Sequence, residues 1–266
     1  DPHADVDYVQ LEPSVRNRDE WSFQAWVRPL PEPVSGRTLP STVYSESELG
    51  VAVGLRIWVV EGRIRIDWFD DYRQGASTWM TQAKLNIGEW NSLTVTSSKA
   101  DNRITVYLNG GAESHNDYAS QSFSVDRAAV GRTVSDDDYY AFSGDIDEVR
   151  IWDRALTAEE VADTTRRLLE PSEEGLLEYW QFDEQDGEDV LPAALHGTGG
   201  TLVGAPERAA STVPILFEGD EDQSVSGTLL GHHPGVKALE FEIVSEHQNG
   251  RVALDADSGD FTYTPD

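Results

Sequence analysis

From Val6 to about Ile151 the chain alternates apolar and polar positions in short runs separated by turn residues. That rhythm predicts antiparallel strands assembled as a sandwich or barrel. Trp21-Ser22-Phe23-Gln24-Ala25-Trp26-Val27 alternates large apolar with small or polar groups. Leu55-Arg56-Ile57-Trp58-Val59-Val60 and Arg63-Ile64-Arg65-Ile66-Asp67-Trp68-Phe69 flank Glu61-Gly62 and predict a hairpin. Trp90–Thr96 and Ile104–Leu108 predict a second pair joined around Asp101-Asn102, and Asn109-Gly110 supplies the positive φ angles of a tight turn.

One stretch has helical character. Thr157 followed three residues later by Glu160 is a capping box, and the helix it starts is expected to run to about Leu169. Arg166 and Arg167 would then lie in its last turn, where the helix dipole favours cations, and Pro171 would end it. Gly175 to Phe182 reads as a further strand, followed by the acidic run 183–189, a Gly-rich stretch and Thr201-Leu202-Val203. The segment from Pro206 to Pro214 reads as a linker, and a second alternating pattern starts at Ile215. Two domains are therefore expected, 1–212 and 213–266, the second too small to bury much surface alone.

Composition narrows the functional classes. With 49 acidic against 20 basic side chains the formal charge is −29, a field that repels nucleic acid and anionic membranes and attracts divalent cations. The chain has no cysteine, which excludes a disulfide framework, a thiolate metal site and a cysteine nucleophile. No apolar run is long enough for a membrane-spanning helix. The opening Asp1-Pro2-His3 is not a signal peptide, so the chain is expected to be cut from a longer protein.

The residues Phe142-Ser143-Gly144-Asp145-Ile146-Asp147-Glu148-Val149-Arg150-Ile151-Trp152, continuing through Asp153 to Val161, resemble the closing strand and helix of laminin-G-like and pentraxin-like jelly rolls. These belong to the concanavalin-A-like superfamily. Trp26-Val27, Gly88-Glu89-Trp90, Tyr107-Leu108-Asn109-Gly110 and Gly131-Arg132 match the same pattern in order, so the resemblance covers residues 6 to 169. Gly175 to Gly204 resembles a segment usually found at the front of such domains and is expected to complete the sandwich from behind the helix. Its Asp189-Val190-Leu191-Pro192-Ala193-Ala194 departs from the family's Asp-x-Ser-Gly-Asn turn. The C-terminal stretches Leu239–Val244, Asn249–Leu254 and Ser258–Pro265 resemble bacterial cadherin-like repeats. The resemblance implies an all-β jelly roll followed by a partial cadherin-like segment, with Ca²⁺ as a structural ion. It also implies a place at a bacterial cell surface among neighbouring domains, and a glycan or surface protein as partner.

Candidate residues follow from both readings. If Val149 and Ile151 point into the core, strand periodicity puts Asp147 on the same face as an inward carboxylate, which needs a cation or hydrogen-bond donors. The resemblance suggests Ca²⁺ there, with Asp145, Asp5 and Asp7 as further oxygen ligands; the alternative is that Asp147 caps backbone N–H groups. Asp136, Asp137, Asp138, Tyr139 and Tyr140 combine acids and aromatics that could hold a cation and stack a sugar, or form a solvated acidic loop. Asp70-Asp71-Tyr72, following Trp68-Phe69, is a further candidate of the same kind, and Trp58, Trp68 and Trp79 could line an exposed platform, with core or half-buried packing as the favoured alternative. The acidic turn Asp255-Ala256-Asp257 offers a cation site or simple turn chemistry.

Catalysis finds little support. Asp145 and Asp147 would share a face while Glu148 points away, and no glutamate stands at the spacing of a two-carboxylate hydrolase. The six histidines form no metal-ligand spacing, and neither a nucleophile elbow nor a phosphate loop is present. The expected protein is a non-catalytic, extracellular, calcium-assisted binding module. A structural spacer without a ligand and a glucanase-like enzyme are the alternatives.

Overall fold

The computed structural model describes residues 7–15, 18–31, 41–47, 53–69, 76–116, 125–134, 140–184, 189–204, 206–207, 213, 222–228, 243 and 249–266. Its contacts divide the chain into a larger unit, Asp1–Thr165 with Leu169–Phe182 and Glu188–Pro206, and a smaller one built mainly from Glu207–Asp266.

The larger unit holds strands β1 (Tyr8–Leu11), β2 (Glu20–Pro29), β3 (Ser41–Ser47), β4 (Val53–Val60), β5 (Arg63–Phe69), β6 (Ala76–Lys84) and β7 (Asn91–Ser98). These are followed by β8 (Arg103–Leu108), β9 (Gly111–His115), β10 (Arg127–Val130), β11 (Gly144–Trp152), helix α1 (Ala158–Thr165), β12 (Leu176–Trp180), β13 (Asp189–Val190) and β14 (Gly200–Val203). They form an eight-stranded sheet in the order β13-β14-β1-β10-β3-β4-β5-β6 and a six-stranded sheet in the order β12-β11-β2-β7-β8-β9. Every pairing is antiparallel, as expected of a jelly-roll sandwich.

Alternation builds the core between the sheets. Leu55, Ile57, Ile64, Ile66 and Trp68 of one sheet meet Phe23, Val27, Leu93, Val95, Val149 and Ile151 of the other in one buried cluster. Phe23 and Tyr44 stack across the interface with ring centroids 5.0 Å apart. The predicted turns form as their chemistry requires: Glu61 and Gly62 both take positive φ, as do Asn109 and Gly110. The segment behind the helix joins both sheets, β12 pairing with β11 and β14 with β1, and so completes the sandwich and does not begin a separate domain.

The interior also holds two glutamates. Glu46 of β3 accepts the backbone N–H groups of Ser14 and Val15 at 2.8 Å each and the Tyr44 hydroxyl at 2.7 Å. Glu178 of β12 accepts the Thr198 N–H at 2.6 Å and the Thr198 and Ser14 hydroxyls at 2.9 and 3.2 Å. One oxygen of Glu46 and both oxygens of Glu178 are thus matched by donors, which offsets the cost of burying them.

Helix α1 lies on the outer face of the six-stranded sheet, over a second cluster of Trp152, Leu156, Val161, Leu169, Tyr179 and Ala194. Its capping box is formed: Glu160 accepts the Thr157 N–H at 2.8 Å and donates its own N–H to the Thr157 hydroxyl at 3.3 Å. The helix stops at Thr165, short of the expected Leu169, so Arg166 and Arg167 are not in its last turn. The cause is tertiary. Arg150 donates to the Thr164 carbonyl and the Trp26 indole to the Thr165 carbonyl, so the terminal acceptors are satisfied from the sheet below. The Thr164 and Thr165 hydroxyls turn back onto the Glu160 and Val161 carbonyls, which weakens helix continuation.

The smaller unit contains a three-stranded antiparallel sheet of β15 (Val225–Thr228), β16 (Gly250–Leu254) and β17 (Asp260–Pro265), in the order β15-β17-β16. In the β16–β17 turn the Asp255 carboxylate accepts the Asp257 and Ser258 N–H groups at 2.9 and 3.0 Å. Those bonds, that of Ser258 foremost, hold its carboxyl below the ordinary aspartate value. Turn chemistry therefore occupies the carboxylate there.

Candidate functional site

The outer face of the eight-stranded sheet carries a polar and aromatic cluster. Because Leu55, Ile57, Ile64 and Ile66 enter the core, Arg56 and Trp58 on β4 and Arg65 and Asp67 on β5 point the other way. Asp67 is the hub. It accepts Arg56 Nη2 at 2.9 Å on one oxygen and Arg65 Nε at 2.7 Å on the other. The second oxygen also takes the Thr78 hydroxyl at 2.9 Å. The guanidinium carbons lie 3.8 Å (Arg56) and 4.7 Å (Arg65) from the centre of the Trp58 ring, within cation–π range. Tyr140 completes the group, 5.8 Å from Trp58 and tilted to it by 56°.

Trp58 is only 5% exposed, and its indole N–H has no hydrogen-bond partner among the described residues. Arg65 keeps about a third of its side chain in solvent at 33%; among the described residues Asp67 and Thr78 are the acceptors on its Nε and Nη2 and none lies on Nη1. Trp58 and Asp67 thus hold the two guanidiniums in place, and what the cluster presents to a ligand is the open edge of Arg65 with Tyr140 alongside.

Short hydroxyl side chains on β3 bring Tyr140 there. Ser45 and Ser47 face outward, in register with Ala129 and Arg127, leaving room for residues 132–134 to run across them. Ser45 Oγ donates to the Arg132 carbonyl at 2.9 Å, Ser47 Oγ donates to the Val134 carbonyl, and the Thr42 and Thr133 hydroxyls are 2.6 Å apart. At the far end the Thr42 N–H donates to the Tyr140 carbonyl at 3.1 Å. The candidate loop is anchored on this face at both ends. Asp136, Asp137, Asp138 and Tyr139 themselves lie outside the described residues, as do Tyr72 and Asp5.

Two sequence expectations are overturned. Trp68 is 1% exposed and belongs to the inter-sheet core with Ile64 and Ile66, so it offers no platform to a ligand. Asp147 does not share a face with Val149 and Ile151. Strand β11 carries a bulge between Asp147 and Arg150, where Glu148 takes a φ of 52°. Before the bulge Ile146 pairs with core residue Val27 and Asp147 with Trp26; after it Ile151 pairs with Phe23. The extra residue transfers Asp147 to the outer, helix-covered side of the sheet.

There the Asp147 carboxylate accepts the Glu148 N–H at 2.8 Å, the capping role that was the alternative to a metal ligand. Asp145 pairs with Arg28 at 2.8 Å, and Arg28 in turn lies 5.1 Å over the Trp90 ring. Gly144 makes that approach possible, since with its φ of 151° a Cβ would collide with the Arg28 carbonyl. Asp7 adjoins β1 in the opposite sheet. Among the described residues no three His, Asp or Glu side chains converge as they would around an ion. The described carboxylates therefore do not fit a calcium centre built on Asp147.

Arg56, Arg65 and Asp67 escaped the sequence reading, which names only Trp58 and Tyr140 of this cluster as candidates, although the signal was present. The same alternation that sends Ile64 and Ile66 inward places Arg65 and Asp67 outward, and Trp68 has the parity of the isoleucines.

Comparison with known proteins agrees with this architecture. A protein from Bacteroides ovatus, described as a candidate carbohydrate-binding protein, is similar in structure, with a TM-score of 0.57 and 16% identity over 74% of this chain. This chain spans 56% of that protein. The SAP-like pentraxin of Limulus polyphemus shows a TM-score of 0.46 and 14% identity over 61% of this chain and 77% of its own. The CBM40 module of the Ruminococcus gnavus IT-sialidase, solved with α2,3-sialyllactose, gives 0.47 and 13% over 60% and 98%. A search of curated protein sequences found no match. The family profile described as the concanavalin A-like lectin/glucanases superfamily matches residues 3–162, and with the two-sheet jelly roll it places this chain in that superfamily.

Proposed function

We propose that the larger unit is a non-catalytic glycan-binding module of an extracellular protein, and that its ligand surface is the outer face of the eight-stranded sheet around Trp58. The observation that carries this reading is the Arg56–Trp58–Arg65 stack tied to Asp67, with Tyr140 alongside. Sugars are recognised by such groups: guanidinium and carboxylate edges pair with hydroxyls while aromatic rings pack against C–H faces. The six-stranded sheet covers the middle of its own outer face with α1, leaving the other sheet as the surface with chemistry to offer. The Bacteroides ovatus neighbour, of the same fold, adds support through its assignment to carbohydrate binding.

Placement at a cell surface, beside repeats of the kind the C-terminal sequence resembles, belongs to the same proposal. The chain contains no helix long and apolar enough to cross a membrane among its described residues. Calcium assistance is a separate proposal. It is carried by the acidic sequence at 5, 7 and 136–138, since Asp145 and Asp147 are engaged within the protein. A glycan array probed with the whole chain, in EDTA and in Ca²⁺, tests both parts. Retention of defined glycans supports the module. Retention of none would leave the spacer reading in its place.

A further inference from the structure

Among the described residues of its strands, the candidate face carries charge of the opposite sign to the chain as a whole. Overall, 49 acidic side chains outnumber 20 basic ones. On the eight-stranded sheet the outward positions of the strands instead carry Arg56, Arg63, Arg65, Lys84 and Arg127, with Arg132 just beyond β10 and stacked 5.1 Å over Tyr8. Among the described residues the strands answer with acids at only two outward positions, Asp67 and Asp189. Asp126 adds a third beside Arg127. One carboxylate between two guanidiniums at the Trp58 cluster leaves a net positive charge there, and it fixes both planar groups in place.

We infer that this face takes anionic glycans, chains bearing carboxylate or sulfate groups, and that Arg65 supplies the direct contact. The inference rests on the glycan-binding reading of the same surface. Arg65 is the member of the cluster that is both held and open: Asp67 and Thr78 fix its Nε and Nη2, while Nη1 has no acceptor among the described residues. A guanidinium with a free edge pairs with an oxyanion more strongly than with a neutral hydroxyl. The chain's overall charge does not forbid this, because at physiological ionic strength fields are screened within about 8 Å and a bound group responds to its immediate neighbours.

The test is binding of the whole chain to three immobilised oligosaccharide sets: uronate- or sialate-bearing, sulfated, and neutral. It compares wild type with Arg65→Gln and Arg65→Lys after each variant's melting curve has shown it folded. The expected result is retention of one or both acidic sets over the neutral one. Arg65→Gln should weaken it by roughly tenfold or more, and Arg65→Lys by less. Preference between the carboxylated and sulfated sets identifies the anion. Equal binding of neutral glycans, unchanged in Arg65→Gln, would overturn the inference and leave the glycan-binding reading standing. Retention of no glycan would overturn both.

Discussion

The hydroxyl of Ser14 lies 3.2 Å from a Glu178 carboxylate oxygen, and through it a residue on the connection between β1 and β2 is tied to the far edge of the six-stranded sheet. The backbone N–H of the same serine is held by Glu46 of the eight-stranded sheet. One small residue is therefore gripped by a buried acid from each layer.

This contact makes stability pH-dependent with a definite sign. Burial holds the Glu178 carboxyl above the ordinary glutamate value, and the bonds from Thr198 and Ser14 offset that only in part. A group raised in the folded state contributes stability that is complete below its unfolded value and is lost as pH rises through the folded one. Glu178→Gln keeps an acceptor and removes the charge, so its stability relative to wild type should increase as pH rises above about 4. Urea unfolding of both proteins across that range measures the difference; parallel curves would refute the assignment.

Beneath α1, Glu148 accepts Arg150 Nη2 and the Tyr179 hydroxyl, each at 2.5 Å. Burial, reinforced by Glu148, holds the Tyr179 hydroxyl well above the ordinary tyrosine value, so it remains a donor at any ordinary pH. Tyr179→Phe should cost about 1–2 kcal/mol, one hydrogen bond to a charged acceptor. Glu148→Ala strands Arg150 as a buried charge and should cost about 3–5 kcal/mol. Chemical denaturation that ranks the two the other way would contradict this network.

The Asp147 carboxylate accepts the N–H of the bulge residue Glu148. Asp147→Asn preserves the oxygen that accepts the Glu148 N–H and should lower stability by less than about 1 kcal/mol, whereas Asp147→Ala should cost about 1–3 kcal/mol. Neither difference should change between EDTA and millimolar Ca²⁺ in thermal melts. A calcium-dependent gap between wild type and Asp147→Asn would restore the residue as a metal ligand.

At the open edge of the sandwich, Glu113 of β9 reaches the other sheet and accepts the Gln82 and Ala83 N–H groups of edge strand β6, at 2.8 and 2.7 Å. Such coverage protects an exposed edge. In Glu113→Ala the amides of residues 82 and 83 should exchange with deuterium faster than in wild type while those of β4 stay unchanged. Equal rates at 82 and 83 would show that the clamp protects nothing.

What could be read in the chain beforehand was what short-range chemistry determines. Glu61-Gly62 and Asn109-Gly110 need positive φ and take it, and Thr157 with Glu160 forms its box whatever lies beyond. The fold class followed from alternation sustained over many strands. The face of Asp147 was hidden because nothing in Ile-Asp-Glu-Val announces a bulge; it arises where Glu148 turns to meet Arg150 and Tyr179. The helix end was hidden for a similar reason, since Arg150 and Trp26 cap it from the sheet. Glu46 and Glu178 look like surface acids until the donors around them are assembled in three dimensions.

The central claim is that glycans engage the Trp58 face, and NMR of the chain labelled at its tryptophan and arginine side chains tests it directly. The Trp58 indole N–H is buried and without a partner among the described residues, whereas those of Trp26, Trp152 and Trp180 are hydrogen-bonded within the fold. Titration with a glycan identified on the array should shift the Trp58 and Arg65 signals and leave those three in place. Shifts centred on Trp90 and Arg28, with Trp58 and Arg65 unmoved, would contradict the account.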